Sequence, residues 1–158
     1  MKKLYIMRHA SAVANASNRV SDKERPLNFE GRQQLANLLV SALGLFDEVT
    51  HVLCSTATRT KLTSAGLREI LPIQTNYQFL DNLYHASAYS ILEEVKLLPN
   101  EARDVLVIAH NPGVSQFANL ANPEMTLAMG TAQIAIYDIH SSDWQALEFS
   151  DCQFRKVM

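Results

Sequence analysis

The sequence predicts an α/β domain, on two observations. Short apolar runs of buried-strand type alternate with segments of helical period, and one run, "VLVIA" at 105–109, is aliphatic throughout. A strand of that kind needs cover on both faces, as in the middle of a parallel sheet. Of the 158 residues 47% are apolar and 19% charged, so one domain over 1–158 with a single core is expected.

Each element follows from local chemistry. Residues 4–7 ("LYIM") are the first strand, and the polar stretch 11–25, with neither period, is a loop long enough to be functional. Asn28 can cap a helix whose Leu35, Leu38, Leu39, Ala42 and Leu43 make one stripe, with Gly44 closing it. Residues 49–54 form a second strand, and a helix from about 56 to 71 stops at Pro72. A short strand at 73–79 precedes a helix at 87–98 with Ile91, Leu92, Val95 and Leu98 inward. After the central strand, a helix starts with Pro112 in its first turn and turns Val114, Phe117, Ala118 and Ala121 to one side. Residues 132–139 and 144–149, around "HSSD", read as a hairpin near the sheet edge.

Composition excludes several classes. The formal net charge of -2 recommends neither nucleic acid nor an anionic membrane as partner, and no apolar run is long enough to span a bilayer. Met1-Lys2-Lys3 is not followed by the apolar stretch of a secretory signal, so a cytoplasmic location is expected. Cys54 and Cys152 are expected to be buried free thiols.

Three strands end in related polar residues: the first in Arg8-His9, the second in Ser55 with Arg59 a helical turn on, the central one in His110-Asn111. If these strands are parallel, two arginines and two histidines meet beyond their carboxyl ends, where open α/β sheets bind ligands. Arg59 and Thr63, four apart on one helix face, can both look into that site, and two helix N-termini aim at it. The cluster suits phosphate and not a metal ion. Arginine cannot ligate a cation, whereas its planar fork pairs with phosphate oxygens.

"MRHA" at 7–10, "STATRTKLT" at 55–63, "IAHNPG" at 108–113 and "RPLNFEG" at 25–31 together resemble the signature stretches of the histidine phosphatase superfamily, closest to its small SixA-like phosphohistidine phosphatases. The resemblance implies a phosphoglycerate mutase-like fold, three layers α/β/α around a mostly parallel sheet. It implies that His9 is the nucleophile and that Arg8, Arg59 and His110 hold the transferring phosphoryl group. Neither cofactor nor metal is implied. The reaction it implies is phosphatase chemistry through a phosphohistidine intermediate on a phosphorylated protein, phosphohistidine-carrying proteins included. The alternatives are a small phosphoester as substrate, and a phosphate- or phosphoprotein-binding module without turnover.

Departures from the family pattern leave some roles open. Asn15 falls at the spacing of a phosphate-contacting asparagine, although Ala12 replaces the serine that accompanies it, and Thr131 next to Gly130 can supply a loop donor. Many members carry a glutamate as general acid where this chain has "LDNLYHAS" at 80–87. Asp81 and His85 are the candidates there. His51 and His140 read as structural.

Overall fold

The computed structural model describes residues 1–15 and 20–158, so part of the loop expected at 11–25 lies outside the described residues. Six strands form one sheet: β1 (Lys2–Arg8), β2 (Val49–Ser55), β3 (Asn76–Leu80), β4 (Asp104–Ala109), β5 (Ile134–Ile139) and β6 (Cys152–Val157). Their order is β3-β2-β4-β1-β5-β6. The pairs β3-β2, β2-β4 and β4-β1 are parallel, and β1-β5 and β5-β6 are antiparallel. The mostly parallel sheet expected from the sequence is what forms, with β4 at its centre and every residue of that strand buried.

Helices cover both faces. α1 (Phe29–Ser41) and α2 (Thr58–Gly66) lie on one side, and α3 (Ala88–Lys96) and α4 (Gly113–Ala121) on the other. Alternation along the strands sets this division, because successive side chains leave a strand on opposite faces. Leu4 and Ile6 of β1 join Val105 and Val107 of β4 beneath Ile91, Val95 and Phe117, whereas Tyr5 and Met7 join Leu106 and Ile108 beneath Leu35 and Leu38. Each such fully buried aliphatic side chain contributes roughly 1.5–3 kcal/mol of transfer free energy.

Several boundaries differ from the sequence reading, each for a local reason. Leu43 points outward and is 76% exposed, because α1 ends at Ser41 and is capped by Ala42, so Leu43 already lies outside the helix as the chain turns on through Gly44 at φ +79. The second helix ends at Gly66, where Leu67 caps it and a 3-10 turn (Arg68–Ile70) carries the chain to Pro72. The third strand begins at Asn76 and not at Ile73, which is fully exposed. Pro112 is the N-cap of α4 and not a residue of its first turn. The hairpin partner of β5 is β6, since 144–149 falls in and between two 3-10 turns that bury Trp144, whose indole N–H donates to the Ala102 carbonyl at 2.8 Å.

The parallel register brings the polar strand ends together. Arg8 is level with Ala109, and Cys54 with Ile108, so His9, Ser55 and His110 leave the sheet at one edge. β5 starts at that edge because it runs antiparallel to β1, which brings Thr131 close. Among the described residues no helix is long and apolar enough to cross a membrane.

Candidate active site

His9 follows β1 and is held from both sides. Its own N–H donates to the Ala109 carbonyl at 3.1 Å, and Ala132 N–H donates back to the Arg8 and His9 carbonyls, each at 3.1 Å. The next amide, Ala10 N–H, donates to Thr63 Oγ1 at 3.0 Å, and Thr63 Oγ1 in turn donates to the Arg59 carbonyl at 2.7 Å. Thr63 shares a face with Arg59 as expected, but it does not line the site. It is a buried brace behind His9.

The proton of the His9 ring is assigned by its partners. Nδ1 lies 2.7 Å from the Ala10 carbonyl oxygen, which can only accept, so Nδ1 carries the hydrogen. Nε2 then keeps its lone pair, and Arg59 Nε donates to it at 3.3 Å. Burial, opposed by the bond to Ala10 and reinforced by the charges of Arg59, Arg8 and Arg25, lowers the His9 pKa to about 4. The imidazole is therefore neutral at ordinary pH.

His110 leaves β4 beside it, with ring centroids 5.2 Å apart. Its Nε2 is 2.8 Å from Ser55 Oγ, while its buried Nδ1 has no partner. Burial first, and then the charge of Arg59, lowers its pKa to about 3.

The two arginines are positioned differently. Arg59 is 1% exposed, and a buried guanidinium requires partners. It has them: Nε meets His9, Nη1 donates to the Asp22 main-chain carbonyl at 2.6 Å, and Nη2 donates to Asp22 Oδ2 at 3.1 Å. Arg8 donates from Nη1 to the Met129 carbonyl at 2.9 Å and leaves a buried Nε without a partner. Asn111 donates to the same carbonyl at 2.9 Å, which ties the loop before β5 to the start of α4.

A cavity of about 320 Å³ opens where these groups converge, lined among others by Arg8, His9, Arg25, Arg59, His85 and His110. Thr131 lines it too, and its Oγ1 accepts from Gln34 Nε2 at 2.9 Å while Gln34 Oε1 accepts from Ser11 N–H at 2.8 Å. Asn15 is exposed and is not part of the lining. Asp81 also lies outside, bound to Lys23 at 2.6 Å and to the Thr56 hydroxyl. His85 lies inside, in a left-handed backbone conformation (φ 52), with its ring 5.4 Å from that of His110. His51 and His140 are remote from the lining, beside Thr50 and Gln153. Cys54 and Cys152 are unpaired and buried, and burial pushes each thiol up to about 12.

Two glycines permit close approaches that shape the walls. A Cβ on Gly113 would lie 2.0 Å from the Ala86 carbonyl oxygen, so only glycine lets the start of α4 touch the backbone after His85. A Cβ on Gly31 would meet the Ser11 carbonyl oxygen at 2.0 Å. Asn28 makes that second contact doubly specific: its Oδ1 caps α1 by accepting from Gly31 N–H at 2.8 Å, and its Nδ2 donates to Ser11 Oγ at 2.9 Å.

Asp22, Tyr84 and the partnership of Ser55 with His110 are absent from the sequence reading. Asp22 lies in a 3-10 turn (Asp22–Glu24) inside the aperiodic loop. Its Oδ2 accepts from Tyr84 Oη at 2.7 Å and His85 Nε2 at 3.0 Å as well as from Arg59, and its Oδ1 accepts from Arg25 Nε at 3.0 Å and Nη2 at 2.8 Å. The Tyr84 hydroxyl, with Arg25 and Arg59, holds this carboxyl well below the usual carboxylate range. The one sequence signal for it is its i, i+3 spacing to Arg25.

No family model matches the chain. An uncharacterized protein of Mycobacterium leprae is 27% identical over 116 residues, 66% of this chain and 68% of that protein. An uncharacterized protein of Mycobacterium tuberculosis is 29% identical over 112 residues, 71% of this chain and 67% of that protein. Among solved structures, one described as phosphohistidine phosphatase SixA from Nakamurella multipartitia superposes with a TM-score of 0.84 at 26% identity, covering 99% of this chain and 95% of that one. The protein histidine phosphatase SixA complexed with tungstate gives a TM-score of 0.79 at 26% identity, over 99% and 96% of the two chains. A mycobacterial glucosyl-3-phosphoglycerate phosphatase, at 16% identity and a TM-score of 0.65, shares the fold over 98% of this chain and 96% of its own. With the same fold running through nearly all of its length and its arginine and histidine strand ends gathered at one sheet edge, the chain has the phosphoglycerate mutase-like fold, and its structural neighbours are phosphatases of the histidine phosphatase superfamily.

Proposed function

We propose that the chain is a phosphatase that passes a phosphoryl group through Nε2 of His9, working without a metal ion, with phosphohistidine on another protein as its preferred substrate. The observation that carries this reading is the state of His9: neutral, Nδ1–H bound to the Ala10 carbonyl, and the lone pair of Nε2 beside Arg59 at the cavity wall. A histidine in that state is ready to attack phosphorus. The P–N bond to the substrate imidazole breaks as the bond to His9 Nε2 forms, and the leaving ring takes up a proton. Water then attacks the phosphohistidine, releasing inorganic phosphate and restoring the neutral ring.

Phosphoryl transfer depends mainly on alignment and on neutralising the equatorial oxygens. Arg8 and Arg59 supply fixed positive charge for that purpose. His110 supplies a third donor if Ser55 gives its hydroxyl hydrogen to Nε2, because the ring proton then resides on the unpartnered Nδ1. Thr131 is assigned to the rim of the phosphoryl site on its place in the lining, whereas exposed Asn15 has no such support.

A second reading, hydrolysis of small phosphoesters, is favoured by His85, which lines the cavity and could protonate an alkoxide leaving group. Incubating the protein with a phosphohistidine-carrying protein and with an aryl phosphate, then mapping the trapped phosphoenzyme, tests the proposal. Label on His9 is expected. Label on Ser55 or Thr63 with His9 unmodified would sink it.

A further inference from the structure

Among the described residues Asp22 is the one carboxylate bonded to the arginines of the site, and it does not line the cavity. It stands behind three residues that do, Arg25, Arg59 and His85, and bonds to each. Two roles are open to such a group: fixing the arginines in place, or limiting the positive charge that a bound phosphate meets.

The geometry around Arg59 separates them. That guanidinium is kept in place by the main-chain carbonyl of Asp22 at 2.6 Å, by His9 and by near-complete burial, and no substitution of the Asp22 side chain removes any of these. Arg25 likewise keeps the Val13 carbonyl, to which Nη1 donates at 2.6 Å. The carboxylate is thus dispensable as an anchor. Toward the two arginines, what it alone contributes is a negative charge, while it also orients Tyr84 and His85, whose Oη and Nε2 bond to the same Oδ2. Among the described residues Arg8, Arg25 and Arg59 give the cavity three fixed positive charges, and Asp22 reduces that sum to two, equal and opposite to a phosphoryl dianion.

We propose that Asp22 is a counter-charge that keeps the pocket from retaining inorganic phosphate, so that product leaves and turnover continues. The role rests on the phosphatase reading given above. Binding that is equally tight for every phosphorylated state slows a catalyst, because stabilising product in the site raises the barrier to the next cycle. A carboxylate behind the arginines weakens their grip on any oxyanion while leaving their directions unchanged.

The test is calorimetric titration of inorganic phosphate, and of tungstate as a second oxyanion, at pH 7 into the wild type, Asp22→Asn and Asp22→Glu. Asp22→Asn is expected to bind phosphate at least about tenfold more tightly, about 1.4 kcal/mol, and Asp22→Glu to stay within about threefold of wild type. In turnover of an aryl phosphate, KM and kcat should fall together in Asp22→Asn, with stronger inhibition by phosphate, a pattern that simple loss of structure does not produce. The 3-10 turn bearing Asp22 buries no residue, so the variant should fold, and Asp22→Ser serves as a second neutral variant if it does not. Unchanged or weaker phosphate affinity in the neutral variants, or equal tightening in Asp22→Glu, would overturn the proposal. Titration needs no turnover, so the phosphatase reading fails separately: no phosphoenzyme on His9 alongside tighter phosphate in Asp22→Asn would remove that reading and leave the counter-charge.

Discussion

Arg59 Nε lies 3.3 Å from His9 Nε2, so the guanidinium proposed to clamp the phosphoryl group already touches the atom proposed to carry it. Because Arg59 is buried and its Nη atoms are directed to Asp22, the contact restrains where on the His9 ring a phosphorus atom can arrive.

A phosphoenzyme on His9 follows first. Brief reaction with an activated aryl phosphate should give a label that is lost in acid and kept in base, as expected of a phosphoramidate. His9→Ala should abolish it. Labelling that survives acid, or that persists in His9→Ala, would show that the nucleophile is elsewhere.

The pH dependence has a sign set by burial. His9 and His110 are lowered from 6.5 to about 4 and about 3, so the unfolded chain binds protons that the folded one refuses. Stability then rises with pH across this window, is fully present above the unfolded value, and is lost as pH falls from about 6.5 towards 4 for His9 and towards 3 for His110. Denaturant melts at several pH values should show this loss in the wild type and less of it in His9→Asn. The phosphorylation rate should hold down to about pH 5 and fall as His9 becomes protonated near 4. An activity drop centred near 6.5 would mean that the His9 ring is not held neutral.

Removing Arg8 tests the clamp with little structural cost, since it is anchored through one loop carbonyl. Arg8→Ala should lower kcat/KM by about 10²–10³, roughly 3–4 kcal/mol of barrier, with only a small change in Tm. Arg59→Ala should lose activity too, and more stability, because it empties a buried position. Near-normal kcat/KM in Arg8→Ala would remove it from the phosphoryl site. Chelators should leave wild-type activity unchanged, and a strict need for an added divalent ion would refute the metal-free reading.

Substrate preference turns on the leaving group. A phosphorylated imidazole departs with little help, whereas an alkoxide needs a proton. Phosphohistidine or phosphoramidate substrates should therefore exceed simple alkyl phosphates in kcat/KM by at least about tenfold, about 1.4 kcal/mol. His85→Ala should reduce any alkyl phosphate activity while sparing aryl phosphates. The structure favours His85 over Asp81 for this proton, because Asp81 faces Lys23 and Thr56 outside the cavity. Better turnover of a sugar phosphate than of phosphohistidine would reverse the assignment.

What the sequence made legible is what short-range chemistry controls. The "VLVIA" run, the Asn28 cap and the Ser87 start of α3 depend on neighbours within a few residues, and each forms as read. Arg8, His9, Arg59 and His110 could be placed together because strand ends in a parallel sheet share an edge. Asp22 could not be. It lies in an aperiodic loop, and its partners Arg59, Tyr84 and His85 are 37 to 63 positions away, a distance that no periodicity spans. The position of β6 escapes the sequence for a related reason: Trp144 in one 3-10 turn and Leu147 between that turn and the next are buried apolar residues that imitate a strand.

The contact of Gly113 with Ala86 sets the width of the site as a fixed gauge. His110 precedes α4 and His85 precedes Ala86, so the spacing between two walls of the cavity is the thickness of two backbones with no side chain between them. A hinge there would need slack, and a contact in which even a methyl group would collide has none. The wall between His85 and His110 should therefore keep its spacing when substrate reaches His9.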